Sequence, residues 1–455
     1  MLLRGYIIAL SNLEVTQIKK IGILLAFLIC LNLCACAEKA IAAYPAVGYV
    51  RFDAVNYMKP DAADYMQSGE TTAYKDETPE IMPFDPSECV VWTANCEEYV
   101  TLWTYPASGE SITTIPKGEE MTLLEWDGCF ARVAYGVAEG YVSSAHIKPA
   151  DEEYFAKSLN VVDVTDTYSY EQMLADVNTF AETYPELVKT EIIGQSELGR
   201  DIPVLRIGNI EAETHVFLQG AIHGREHMTA WCLMAMVDYW LDNGIEQLGD
   251  ICWHIIPMIN PDGVIISQTG VLTEEQKAIY DSDLLLEIYP EDITEYAMKW
   301  KANGKGTDIN RNFAAGWETI QDVTVPSSAF FKGEAEFSTA EAVILRDYTL
   351  KYDFDVTVSY HSSGSIIYWQ YGEKQPVNDL SYELGEAVDG VTGYTLVESD
   401  GVSCAGYKDW VMDVLEIPSL TIEIGCEDSP LNERELYSIF ARNYMVLPAI
   451  AGWLE

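Results

Sequence analysis

The chain has 455 residues, 49% of them hydrophobic, which is enough for a large core with a smaller domain beside it. Its 72 acidic residues against 27 basic ones give a formal charge of −45, which excludes nucleic-acid binding or anionic-membrane adhesion through a basic surface. The acidity reads as a solvated exterior.

Residues 1–37 read as a leader. Lys19-Lys20 precede the apolar run Ile21 to Cys30, which is too short for a confident membrane span. Leu33-Cys34-Ala35-Cys36 offers a lipoprotein cleavage site with Cys36 acylated, and small residues near Ala37 or Ala42 offer release instead. The chain is therefore expected to be exported, to the cell envelope or beyond, touching a membrane only through the leader or a lipid anchor. Residues 38–88 are acidic, rich in Pro and small residues, and without period; they read as a linker.

From 89 to 149 short strand-like runs alternate with Gly and Pro turns, among them Tyr99 to Trp103, Met121 to Glu125 and Phe130 to Tyr135. This pattern resembles a bacterial SH3-like domain, a small all-β barrel, and the resemblance implies attachment to cell-wall peptides; a plain spacer is the alternative. Residues 150–164 read as a second linker, and 165–455 as the main domain.

The chemistry begins at His223-Gly224-Arg225-Glu226. A His and a Glu at this spacing can share one divalent ion when the backbone between them turns tightly, and the apolar run Val216-Phe217-Leu218 delivers the pair to a strand's carboxyl end, where open α/β sheets bind ligands. An apolar helix follows from Met228 to Leu241, stopped by Asn243-Gly244. Thr273 to Tyr296 reads as an acidic helical insertion at the rim. A catalytic zinc takes three protein ligands and leaves one position open, and His361, closing the strand Phe354 to Tyr360, is placed to be the third. His146, His215, His227 and His254 are weaker candidates.

Asp308 in Gly306-Thr307-Asp308-Ile309-Asn310-Arg311-Asn312-Phe313 can accept from the far nitrogen of a zinc-ligating His and fix its tautomer. Arg311 offers a planar fork that grips a carboxylate, and Asn310 can complete the grip. In Ser419 to Ile424 the alternation puts Glu423 on the face opposite Leu420, Ile422 and Ile424, a costly place for a carboxylate unless it is paired or functional, and a general base is expected there.

These motifs, in this order, resemble the zinc carboxypeptidases of the carboxypeptidase A type over about Thr165 to Glu455. The resemblance implies an α/β/α domain with a mixed central sheet and one zinc ion on His223, Glu226 and His361, with Glu423 as general base and acid. It also implies that Arg225 and the Asn310-Arg311 pair hold the substrate's carbonyl and terminal carboxylate. Lys301 falls near the place of an oxyanion-stabilising Arg, with Lys305 as the weaker candidate, and Tyr407 is the candidate substitute for a substrate-capping Tyr. Lys408 falls in the segment that floors the specificity pocket; Ala405-Gly406-Tyr407-Lys408-Asp409-Trp410 and the strand at Glu423 are similar to bacterial γ-D-glutamyl-diaminopimelate peptidases. The expected activity is hydrolysis of a peptide bond near a free carboxyl terminus in peptidoglycan stem peptides. The alternatives are removal of acidic C-terminal residues from proteins and a catalytically inactive wall-binding lipoprotein.

Of ten cysteines, three (Cys30, Cys34, Cys36) fall in the leader, leaving seven with no CxxC pair, so a cysteine-based zinc site is not expected. A disulfide among Cys89, Cys96 and Cys129 is left open.

Overall fold

The structure, a computed structural model, describes residues 90–106, 109–152, 158–163, 167–285, 292–320, 323–398 and 405–455. The expected leader and first linker, with Cys36, Cys89 and Cys404, lie outside the described residues.

The N-terminal strands are β1 (Val91–Ala94), β2 (Tyr99–Trp103), β3 (Ser111–Pro116), β4 (Glu120–Asp127), β5 (Phe130–Tyr135), β6 (Ala138–Ser143) and β7 (Ile147–Pro149). They form one antiparallel sheet in the order β3-β2-β6-β5-β4-β1-β7. Alternation explains its core: Val100 and Leu102 of β2 turn inward while Tyr99 and Trp103 stay exposed, and they meet Trp92, Ile115, Met121, Val133 and Val142. Gly128, at φ 52, makes the tight β4–β5 turn.

The main domain runs α1 (Tyr170–Thr183), β8 (Val188–Gln195), β9 (Asp201–Gly208), β10 (Thr214–Gln219), α2 (Met228–Asn243), β11 (Ile251–Ile256), α3 (Pro261–Thr269), α4 (Glu274–Leu284), α5 (Ile293–Met298), α6 (Ala340–Thr349), β12 (Val356–Ser362), β13 (Ile366–Tyr368), α7 (Val377–Thr392), β14 (Thr395–Val397), α8 (Tyr407–Trp410), β15 (Ser419–Ile424), α9 (Leu436–Asn443) and α10 (Val446–Leu454). Its sheet order is β14-β13-β15-β12-β10-β11-β9-β8. The four central strands β15, β12, β10 and β11 are parallel, and the flanks are antiparallel at β11–β9 and β15–β13.

Both faces of this sheet are covered. Val216 and Leu218 of β10 belong to a core shared with α2, α7, α9 and α10, whereas Phe217 points into a second core with Leu345 of α6 and Trp410 of α8. The result is the three-layer mixed-sheet architecture expected. Helix α2 is buried from Met228 through Leu241 and ends at left-handed Gly244, as its apolar run and Asn-Gly stop predict. The rim insertion is also helical: Thr273 and Gln276 cap α4 reciprocally, and Tyr280, Tyr296 and Trp300 make a small core with Leu272. Among the described residues no helix is long and apolar enough to cross a membrane.

One expectation fails. The described part of 150–164 is not a free tether: Leu159 and Val162 are buried in the main core, and the Asp238 carboxylate accepts from the backbone N–H groups of Val161 and Val162, each at 2.8 Å. Pattern reading missed this because the segment anchors through isolated side chains and a buried acid, with no periodic run. The N-terminal sheet is likewise docked, its core touching Tyr437 and Ala441 of α9.

Buried carboxyls give the fold a pH dependence. Burial pushes Glu341 up to about 7, against hydrogen bonds from Glu197 N–H and the Asn303 amide, and pushes Glu435 up to about 8. Between the ordinary carboxyl value of 4.5 and these raised values the folded chain binds more protons than the unfolded one, so stability falls as pH rises through that window. Chemical denaturation should show this decline, and Glu341→Gln should flatten it by up to about 1.4 kcal/mol per pH unit. An unchanged slope in the variant would mean that Glu341 ionises alike in both states.

Candidate metal centre

The carboxyl ends of β10, β12 and β15 converge. After β10 the chain turns at Gly220, whose N–H donates to Ile256 O, and Asn260 then clamps the loop from below. The Asn260 side-chain amide donates to Ile222 O at 3.1 Å and to Ala302 O at 3.0 Å. Gly224 leaves no room for a side chain, since a Cβ there would lie 2.4 Å from the Gly263 backbone. These contacts hold His223 and Glu226 on a single 3-10 turn, with Thr229 Oγ1 donating to Glu226 O at 2.7 Å. His361 comes from the end of β12, whose parallel pairing with β15 sets His361 beside Glu423.

His223, Glu226 and His361 are 4%, 3% and 2% exposed. His223 Nδ1 lies 2.8 Å from Glu226 Oε1, His361 Nδ1 2.9 Å from Glu226 Oε2, and the two Nδ1 atoms 3.2 Å from each other. Two ring nitrogens and a carboxylate therefore point at one small volume. His223 Nε2 is 3.2 Å from Asp308 Oδ1, and a proton held on that nitrogen would free Nδ1 to act as a ligand atom. A tetrahedral zinc with bonds of about 2.0–2.2 Å spaces its ligands roughly 3.3–3.6 Å apart, so the donor set fits zinc, and the three atoms need to spread by a few tenths of an ångström to hold it. Burial opposes ionisation of Glu226 and of Asp308, yet their neighbours hold both carboxyls well below the usual range: His223 and His361 for Glu226, Lys301, His223 and Arg311 for Asp308.

The trio opens onto a cleft of about 930 Å³, which is also lined by Arg225, Lys301, Asp308, Asn310, Arg311, Lys408 and Glu423. Burial pushes Glu423 up to about 7, reinforced by Glu226 and opposed by His361, Lys301 and Arg225. Arg311 Nε sits 3.7 Å from Asp308 Oδ2, and its guanidinium lies over the Phe330 ring at 5.0 Å. Lys301 Nζ, 3.7 Å from Asp308 Oδ2, shares that ring at 5.1 Å. Asn310 Oδ1 accepts from Tyr407 N–H at 2.9 Å. Lys408 Nζ donates to Gln370 O at 2.8 Å and pairs with Asp409 at 3.2 Å.

Two candidates fall elsewhere. Tyr407 is fully buried among Phe217, Phe313 and Trp410, with its hydroxyl 2.8 Å from Thr349 Oγ1, so it does not cap the cleft; its aromatic ring is taken by the core, and only its backbone N–H serves the site. Lys305 points outward to Glu197 at 3.2 Å. The weaker histidines also pack apart from the cleft. His215 and His254 contact each other at 2.9 Å at the opposite strand ends among Tyr348, Tyr352 and Phe354, forming with Cys252 a second cluster of potential ligand atoms, and His146 faces Glu427. Sequence reading missed the clamp Asn260, for which Asn260-Pro261-Asp262-Gly263 is a usable turn signal, and the lining residues Tyr368, Tyr371 and Asp428, for which no local signal exists.

Comparison with known proteins agrees with this geometry. Residues 173–449 match the family model described as zinc carboxypeptidase. A gamma-D-glutamyl-L-diamino acid endopeptidase 1 of Lysinibacillus sphaericus is 29% identical over 286 residues, covering 60% of this chain and 69% of that protein. Carboxypeptidase B of Astacus astacus is 26% identical over 241 residues, 51% of this chain and 74% of that protein. Among solved structures, bovine thrombin-activatable fibrinolysis inhibitor in complex with tick carboxypeptidase inhibitor superposes with a TM-score of 0.52 at 18% identity, over 64% of this chain and 97% of that one. Carboxypeptidase A from Helicoverpa armigera gives 0.51 at 19%, over 72% and 91%.

Proposed function

The chain belongs to the zinc carboxypeptidase family, a family of metallopeptidases that use one zinc ion, and from that premise we propose that it hydrolyses a bond in peptidoglycan stem peptides, beside a diamino acid that carries a free carboxyl terminus. The supporting observation is the mixed charge of the cleft. Arg225, Lys301, Arg311 and Lys408 line it together with Glu398, Asp409 and Asp428, and Lys408 is already paired with Asp409. A diamino acid brings both a carboxylate and an ammonium and can exchange partners with that pair. A plain acidic side chain would meet Asp409 as well as Lys408, which disfavours removal of acidic residues from proteins. The relative from Lysinibacillus sphaericus, a gamma-D-glutamyl-L-diamino acid endopeptidase by name, supports the same substrate class.

In this reading His223, Glu226 and His361 hold the zinc, which when bound acts as a Lewis acid on the scissile carbonyl and lowers the pKa of water. Glu423 takes the proton of the attacking water and passes it to the leaving amine. Burial raises its pKa while His361, Lys301 and Arg225 oppose the rise, which leaves a carboxyl able to take a proton and to return it. Arg311 and Asn310 receive the terminal carboxylate, while Arg225 and Lys301 face the charge that develops on the carbonyl oxygen. Asp308, fully buried against His223, Lys301 and Arg311, orients all three. An inactive wall-binding protein would need none of Glu423, Arg311 and Lys301 in one cleft. Export through the 1–37 leader, with or without acylation at Cys36, and a wall contact through an SH3-like N-terminal sheet extend the proposal to its place of action.

Glu423→Gln should retain one zinc per chain by elemental analysis yet lose about 10²–10⁴-fold in kcat. Activity near the parent's would remove Glu423 from the proton-transfer role.

Mass spectrometry of digests of a defined muropeptide mixture tests the substrate. The expected product is the diamino-acid fragment freed from its γ-D-glutamyl neighbour, with Lys408→Met lowering kcat/KM for it at least about tenfold and sparing neutral C-terminal residues. Release of acidic residues from ordinary peptides, with muropeptides intact, would contradict the proposal.

A further inference from the structure

The N-terminal sheet meets the main domain at a buried polar seam. Gly128, in the β4–β5 turn, donates its N–H to Gly393 O at 3.0 Å, and the fully buried Arg442 of α9 donates to Gly128 O at 2.7 Å, to Thr392 O at 2.7 Å and to Gly393 O at 3.0 Å. The Arg442 guanidinium also lies over Trp126 and Tyr394, at 5.3 and 4.3 Å. The next residue, Cys129, is thus fixed against two loops of the main domain. Its Sγ–H donates to Gly364 O at 3.4 Å and lies 4.0 Å from Gly425 O. Gly364 and Gly425 are themselves hydrogen-bonded, three residues after His361 and two after Glu423.

Cys426 follows Gly425, whose carbonyl oxygen lies 4.0 Å from Cys129 Sγ, and it faces Ser144, whose Oγ donates to Cys129 O at 3.2 Å. Ser144 Oγ of the N-terminal unit stands 3.2 Å from Cys426 Sγ and Ser365 Oγ stands 3.1 Å from it, so the sulfur is held from both domains. Both thiols are free in the structure and neither is fully buried, whereas Cys232 and Cys252 are buried.

We propose that Cys129 and Cys426 form a disulfide when the folded chain meets an oxidant, a covalent staple between the N-terminal sheet and the loop that leaves the Glu423 strand. The co-reactant is a small-molecule or protein disulfide. The Cys426 thiolate attacks one of its sulfurs and expels a thiolate; the Cys129 sulfur, losing its proton, then attacks Cys426 in the mixed disulfide and expels the second thiolate. Two S–H bonds of the chain are replaced by one S–S bond, and two electrons and two protons pass to the oxidant, which leaves as two thiols. Cys426 is suited to go first, because contacts from Cys129, Ser144, Ser365 and Arg442 outweigh burial and bring its thiol down to about 6. The staple joins residues from opposite ends of the described chain, where cross-links restrict the unfolded state most. The pairing is independent of the substrate reading; only its occurrence in the cell rests on export.

The full-length protein, incubated with oxidised glutathione, blocked with an alkylating agent and digested without reduction, should yield one linked peptide pair containing Cys129 and Cys426. Dithiothreitol should separate the pair, with a gain of two hydrogens. Reduction should also lower the Tm of the oxidised parent by about 5 °C and leave the Tm of Cys129→Ser unmoved. Independent alkylation of both cysteines, a lasting glutathione adduct on Cys426, or pairing of Cys129 with Cys89 or Cys96 would each overturn the proposal. So would an equal drop in Tm for parent and variant. Should the variant not fold, the parent's peptide map decides alone. Muropeptide turnover, measured separately, keeps this outcome distinct from that of the functional reading.

Discussion

Everything at the centre of this molecule depends on two imidazoles and a carboxylate held at 2.8–3.2 Å from one another and almost out of contact with water. Burying polar groups without partners costs several kcal/mol each, and two ring nitrogens that face each other at 3.2 Å cannot both carry a proton between them. A shared cation resolves both problems. The arrangement exists because β10, β12 and β15 run parallel and adjacent, so His361 and Glu423 reach one edge on their own strands and the turn after β10 carries His223 to the same edge. Gly224 and Asn260 supply the rest, the first by tolerating backbone contact with Gly263, the second by tying Ile222 to Ala302.

Around that centre the charge is layered. Asp308, wholly buried, sits under His223, Lys301 and Arg311 and keeps three cationic or ligating groups in place, so the cations that face substrate are already oriented before it arrives. The chain is strongly acidic outside, yet the cleft gathers Arg225, Lys299, Lys301, Arg311 and Lys408. These cations stand among Glu398, Asp409 and Asp428 of the same cleft, so the site offers partners of both signs while the exterior repels polyanions.

What could be read beforehand follows a physical rule. His361 and Glu423 were legible because each ends or interrupts an apolar strand, where a polar residue is conspicuous, His223 and Glu226 because of their spacing just beyond one, and Asp308 because the tautomer of a ligating His needs an acceptor. The three-layer fold was legible from the apolar runs that became β10, α2, β12 and β15. Tyr407 was misread because its role in the sequence was inferred from proximity to the pocket segment, whereas Phe217, Phe313 and Trp410 claim its ring for the core. The Lys408–Asp409 pairing, the anchoring of Leu159 and Val162, and the meeting of Cys129 with Cys426 arise from tertiary contact alone. No local pattern marks a cysteine whose partner is hundreds of residues away.

The proposed chemistry stands or falls with one zinc ion on His223, Glu226 and His361, with Glu423 beside it and unbound. Anomalous diffraction at the zinc edge from crystals of the zinc-loaded protein tests it most directly. The account predicts one strong peak with His223 Nδ1, His361 Nδ1 and a Glu226 oxygen at about 2.0–2.2 Å, and with Glu423 outside bonding distance. No peak at that position, a peak ligated by Glu423 in place of Glu226, or a peak confined to the cluster of His215, Cys252 and His254 would contradict it.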